Sequence, residues 1–77
     1  MKILVIVIGK GGSGKELIVS ALVKDGFSRT SMGNLPIVQG DLIVTETVRR
    51  SYASSAIDYG KRSGYQVRII STEVVSR

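Results

Sequence analysis

Hydrophobic positions fall into blocks along the chain, and each block has its own period. Residues 2–8, Lys-Ile-Leu-Val-Ile-Val-Ile, are apolar without interruption after the lysine and mostly β-branched. Such a run suits a strand buried on both faces, as in a parallel sheet covered by helices. Residues 15–25 then carry apolar side chains at helical spacing: Leu17 with Ala21, Ile18 with Leu22, Val19 with Val23. Almost every side of that helix is apolar, which predicts deep packing. Gly26, after Lys24-Asp25, fits a C-terminal cap with positive φ. Residues 27–32, Phe-Ser-Arg-Thr-Ser-Met, alternate weakly and predict a short second strand, closed by Gly33, Asn34 and Pro36.

The next block supports two readings. Leu42, Ile43, Val44, Val48, Tyr52, Ala56 and Tyr59 fit a helix over 41–62 with Asp41 as its N-cap, and the stripe Val44, Val48, Tyr52, Ala56 is spaced by four throughout. Alternatively, residues 36–44 form a hairpin turning at Gly40-Asp41. Ser63-Gly64 ends the block, and residues 65–75, centred on Val67, Ile69 and Ile70, read as a last strand. The helix reading is the favoured one. It gives β-α-β-α-β, a small three-layer α/β domain with a parallel sheet. The hairpin reading gives an α+β, ferredoxin-like βαββαβ order with antiparallel strands. No internal repeat, linker or low-complexity tract divides residues 1–77, so a single domain is expected.

At 77 residues, a domain buries only about 60% of the surface its unfolded chain exposes, and its core is thin. Eleven Lys and Arg stand against six Asp and Glu, a formal net charge of +5 that favours phosphate-bearing partners. With no Cys and no His, disulfides, thiol catalysis, imidazole bases and the usual zinc sites are excluded for this sequence. The apolar run Ile3 to Ile8 is too short to span a membrane and no signal-peptide cleavage pattern follows it. A cytoplasmic protein that does not engage a membrane is the expectation.

Candidate chemistry lies directly after the first strand. Gly9-Lys10-Gly11-Gly12-Ser13-Gly14-Lys15-Glu16 fits the phosphate-cradle pattern G-x-x-x-x-G-K-[ST] except at its last place, where Glu16 replaces the hydroxyl residue. Glycines at 9, 11, 12 and 14 let successive N–H groups converge on an anion, and the helix that follows adds its N-terminal partial charge. Lys15 is placed to reach the outer phosphates, and Lys10 is a further contact or a solvated lysine. In the pattern the hydroxyl ligates Mg²⁺. Glu16 can hold Mg²⁺ in its stead, or is a plain first-turn acid that suits the helix N-terminus. ATP or GTP, with Mg²⁺, are the cofactors this loop implies, and the order strand–loop–helix makes the fold P-loop NTPase-like.

The order of later segments resembles the adenylate kinase-like nucleoside monophosphate kinases. Gly12-Ser13-Gly14-Lys15 is followed by a helix, by Asp25-Gly26-Phe27, and by Ser31-Met32-Gly33-Asn34, similar to the family's Gly-Phe strand start and its Ser-x-Gly-Asp. Gly40-Asp41-Leu42-Ile43-Val44-Thr45-Glu46-Thr47-Val48 resembles the family's G-x-L-V-x-x-E-x-V, and Ser63-Gly64-Tyr65 its Asn-Gly-Phe. The resemblance covers most of residues 1–65 and adds weight to the helix over 41–62. It implies nucleotide phosphates at Gly9–Glu16, with Lys15 as the catalytic lysine, and a monophosphate side at Ser31, Gly33 and Asn34. It also has gaps. Only Leu35 to Gln39 stand where the family has a helical monophosphate-binding insert, Leu35-Pro36-Ile37 replaces its arginine, and Val67-Arg68-Ile69-Ile70-Ser71-Thr72 replaces its Asp-Gly-Phe-Pro-Arg run. Phosphoryl transfer rests on charge neutralisation and positioning by Lys, Arg and Mg²⁺. Those losses imply a nucleotide-binding protein of weak or no turnover. The loop alone also resembles those of the partitioning and nitrogenase iron-protein ATPases and, in Gly-Ser-Gly-Lys-Glu-Leu, that of the enhancer-binding AAA+ activators, where Glu also follows the lysine.

The remaining polar residues fit surface roles. Arg49-Arg50 and Lys61-Arg62 fall at opposite ends of the 41–62 helix, as a solvated basic face or as phosphate contacts. Tyr52, Tyr59 and Tyr65 suit core or edge packing better than base stacking. Among Glu46, Asp58 and Glu73, Glu46 is the first choice for metal or base work, by its place in the family pattern. The rival to nucleotide binding is a non-enzymatic basic module for nucleic acid or a protein, with a homodimer through an edge strand as a further possibility.

Overall fold

The computed structural model describes residues 1–12, 14–35 and 40–72. In chain order the elements are β1 (Ile3–Ile8), α1 (Lys15–Lys24), β2 (Ser28–Arg29), a 3₁₀ turn (Met32–Asn34), β3 (Leu42–Thr47), α2 (Arg50–Arg62) and β4 (Gln66–Ser71). The four strands form one sheet in the order β2-β3-β1-β4, and every pairing is parallel. The α/β class and the parallel sheet stand as the apolar pattern predicts; the strand count rises from three to four.

The correction lies at residues 42–47. They are a strand, not the first turns of a helix, and the helix starts only at Arg50. Leu-Ile-Val-Thr-Glu-Thr is largely β-branched, and β3 sits between β1 and β2, buried on both faces. The stripe spaced by four is not one face. Val44 is buried under α1, Ala56 packs on the other side of the sheet, and Val48 and Tyr52 are 45% and 55% exposed. Asp41 caps no helix; its carbonyl accepts the Ile3 N–H at 2.7 Å, opening the β1–β3 ladder. The antiparallel, ferredoxin-like sheet fails too, because β3 pairs in parallel with β1, Ile3 opposite Leu42 through Ile8 opposite Thr47; the first arm of the hairpin reading, 36–39, lies outside the described residues. The second strand shrinks from 27–32 to Ser28–Arg29, and the last from 65–75 to Gln66–Ser71. Positions 73–75 lie outside the described residues.

Alternation along β1 sends successive side chains to opposite faces. Leu4, Ile6 and Ile8 join Ile43, Leu35, Tyr65 and the α2 residues Ala53 and Ala56. Val5 and Val7 join Val44 and Val19, with Ile18, Leu22 and Phe27 beside them. Hence α1 and α2 cover opposite faces, a three-layer arrangement. Contrary to the expectation of deep packing, α1 buries one side only: Val19 is its single fully buried residue, and Leu17 is 78% exposed. The α2 face is built from small residues, Ala53, Ala56 and Gly60. A Cβ at Gly60 would stand 2.6 Å from Val67 Cγ2 and 2.9 Å from Leu4 Cδ2, so the helix rides close on β1 and β4.

Both helices end in the same way. Gly26 N–H donates to Val23 O and Phe27 N–H to Leu22 O; Gly64 N–H donates to Lys61 O and Tyr65 N–H to Gly60 O. These are Schellman motifs. The glycines hold φ of +108° and +82°, and the aromatic residue after each turns into a core cluster.

Candidate functional site

The polypeptide leaves β1 for α1 and travels past β3 to β2; it leaves β3 for α2 and travels past β1 to β4. The two crossovers depart in opposite directions from neighbouring strands. In open parallel sheets, that switch point opens a crevice at the carboxyl ends where ligands bind. Gly9 follows β1 there, and its N–H donates to the Thr47 carbonyl at 3.0 Å. The glycine loop therefore hangs from the switch point itself.

Gly14 is the N-cap of α1, with φ +91° and no side-chain cap. That conformation disfavours any residue with a Cβ. Gly14 O accepts the N–H groups of Leu17 and Ile18. The preceding first-turn N–H groups have no intrahelical acceptor, a geometry suited to an anion. Half-buried Lys15 folds back over the loop, and its Nζ donates to Gly9 O at 3.0 Å. A phosphate arriving at the helix N-terminus is a stronger acceptor for that ammonium than a carbonyl. Gly11, Gly12 and Lys10 are exposed beside it; Ser13 lies outside the described residues.

Glu16 points elsewhere. Arg29 donates from Nη1 to Glu16 Oε2 at 3.3 Å and from Nη2 to Glu16 Oε1 at 3.1 Å. The same Nη2 donates to Glu46 Oε1 at 3.0 Å. The hydrogen bond that Arg29 donates to Glu16, and then the charges of both carboxylates, hold the Arg29 pKa above its ordinary value. The three side chains tie α1, β2 and β3 together at the sheet surface. Metal binding by Glu16 would have to displace that guanidinium. Glu46 lies on strand β3, not on a helix, and its Oε2 is buried without a hydrogen-bond partner among the described residues.

Arg49, the α2 N-cap, and Arg50 follow β3 and lie at the same end of the sheet as the loop. Arg49 sits 5.9 Å from the Tyr52 ring centroid. Lys61 and Arg62 occupy the last turn of α2 at the opposite end, where Arg62 Nε donates to Asp58 O. Ser31, Gly33 and Asn34 are exposed around the 3₁₀ turn, with Asn34 N–H donating to Ser31 O. Tyr65 is buried, Tyr59 half-buried and Tyr52 exposed. Sequence reasoning passed over Arg29 and Thr47. The alternation of residues 27–32 carried a signal for Arg29, since it shares a strand face with apolar Phe27 and so faces α1 and Glu16. Thr47 became visible only once β3 was known to be a strand.

Comparison with family models, with curated proteins and with solved structures finds no match to this chain. Fold and site together define a small α/β domain with an all-parallel four-stranded sheet and a glycine-rich loop at its switch point. Among the described residues no helix is long and apolar enough to cross a membrane.

Proposed function

We propose that the chain binds the phosphates of ATP or GTP at Gly9–Lys15, and that it binds nucleotide rather than turning it over. The observation carrying this reading is the Lys15 ammonium folded over a glycine loop that joins β1 to the N-terminus of α1 at the switch point. A phosphate would take the first-turn N–H groups of α1 and the Lys15 ammonium, with Gly12 and Gly14 leaving room for it. Any Mg²⁺ would be held by the phosphates, with Glu16 reaching it only on release from Arg29. Binding without efficient transfer fits the kinase-like order of segments stripped of its arginines. Arg49 and Arg50 are the basic side chains that follow β3 at the loop end, and they suit outer phosphates.

Thermal denaturation with ATP, GTP or GDP, with and without Mg²⁺, tests this. At tenfold excess over Kd, a ligand that binds only the native state adds about 1.4 kcal/mol, or roughly 6–11 °C in a domain of this size. Lys15→Ala removes the shift and leaves the unliganded melting temperature close to wild type, because among the described residues the side chain's hydrogen bond is to a loop carbonyl. No shift with any nucleotide at millimolar concentration defeats the proposal. The rival reading, a basic module for nucleic acid, draws on the +5 charge and the Arg49–Arg50 pair. It requires salt-sensitive DNA or RNA binding that survives Lys15→Ala.

A further inference from the structure

Glu16 stands where the phosphate-cradle pattern has its metal-binding hydroxyl. A carboxylate on the first turn of α1 acts on a phosphate at that helix end in one of two ways. It holds Mg²⁺ against the phosphate, or it repels the phosphate. Arg29 prevents both. It engages the two Glu16 oxygens, from Nη1 at 3.3 Å and from Nη2 at 3.1 Å. The same Nη2 donates to Glu46 Oε1 at 3.0 Å. Arg29 lies opposite Val44 in the β2–β3 register, and Glu46 follows two residues further along β3, on the same face. The guanidinium is thus anchored to the sheet as well as to α1. Glu46 Oε2 is buried with no hydrogen-bond partner among the described residues, so its carboxylate depends on that one cation. The Arg29 and Glu16 side chains are 46% and 66% exposed, and pairs this open add little stability. Their consequence lies in where they hold charge.

Resting on the nucleotide reading above, we infer that Arg29 sets the metal dependence of the loop. It keeps Glu16 from phosphate and metal alike, and the site takes a phosphate chain free of Mg²⁺. Counter-charge then comes from Lys15, from the first-turn N–H groups of α1, and from Arg49 and Arg50 at the same end of the sheet. Without Arg29, the carboxylates of Glu16 and Glu46 stand uncompensated beside the phosphates. Metal-free binding weakens, and Mg²⁺ becomes the ion that joins Glu16 to the phosphates. Arg29 is a positioning residue, since it acts through Glu16.

Calorimetric titration with ATP and with GTP, first in EDTA and then in excess Mg²⁺, tests the inference. Wild type binds metal-free nucleotide at least as tightly as the Mg²⁺ complex, and Glu16→Gln keeps that behaviour. Arg29→Met binds metal-free nucleotide about three- to tenfold more weakly, the Coulomb effect of one uncompensated charge near the surface, and Mg²⁺ restores the loss. Adding Glu16→Gln to Arg29→Met restores the metal-free affinity and removes the Mg²⁺ response, which a merely structural role for Arg29 would not do. Two results overturn the inference. One is wild-type binding that Mg²⁺ tightens and that loses this gain in Glu16→Gln, a comparison that needs no Arg29 variant to fold. The other is an Arg29→Met protein that binds like wild type in both conditions. Absence of wild-type binding in either condition defeats the nucleotide reading itself and this inference with it.

Discussion

The Tyr65 hydroxyl donates to the Gly40 carbonyl at 2.6 Å, and the Lys2 ammonium sits 4.4 Å from its ring centroid. Burial, then the neighbouring Tyr59 and Asp41, push its pKa above the ordinary value of 10.0. The native state therefore keeps the proton to higher pH than the unfolded chain. That difference stabilises the fold fully below about pH 10 and is lost as pH rises through the native pKa. Urea midpoints between pH 7 and 11 should fall more steeply above pH 10 in the wild type than in Tyr65→Phe. At neutral pH the same variant should lose about 1 kcal/mol with the hydrogen bond. A parallel alkaline decline in both proteins would exclude Tyr65 as its source.

At the scale of elements, α2 depends on having no side chain at Gly60. Alanine there would gain about 1 kcal/mol in helix propensity, yet it drives a methyl into Val67 and Leu4, an overpacking that costs about 1–3 kcal/mol. The second effect prevails. Gly60→Ala should lower the unfolding free energy by about 1 kcal/mol in urea titration, and a gain in stability would refute the close approach. Legibility also varied by element. β1 and the glycine loop were readable because a continuous apolar, mostly β-branched run followed by four glycines has few other solutions. β3 was not, because three apolar residues, two threonines and a glutamate inside a longer periodic stretch fit a helix equally well. Only the neighbouring strands decide between them, and the resemblance to a kinase family pulled the reading towards the helix. β2 amounts to two paired residues, too few for any period to show. The loop residues of the site were therefore found from sequence, whereas Arg29 and the strand position of Glu46 needed the sheet.

For the whole molecule the margin is narrow. A domain of this size has an unfolding free energy of roughly 4–12 kcal/mol. Ile6 lies fully buried at the centre of β1, beneath α2. Ile6→Ala should cost about 2–5 kcal/mol, enough to leave a measurable unfolded fraction at 37 °C by circular dichroism; a loss under 1 kcal/mol would mean a loosely packed core. Reading β2-β3-β1-β4 backwards gives the same order if the first and second halves of the chain exchange names. Strand, helix, three-residue Gly-aromatic joint and strand recur as β1-α1-Asp25-Gly26-Phe27-β2 and β3-α2-Ser63-Gly64-Tyr65-β4. The domain is thus two interleaved half-units about an approximate twofold axis running between β1 and β3, along the strands. The halves differ chiefly where strand becomes helix. Val48 and Arg49 suffice in the second, whereas the first spends residues 9 to 14 on the same turn. Four residues beyond what the architecture demands are thereby set on the symmetry axis, and the second half is the built-in control showing that the scaffold closes without them.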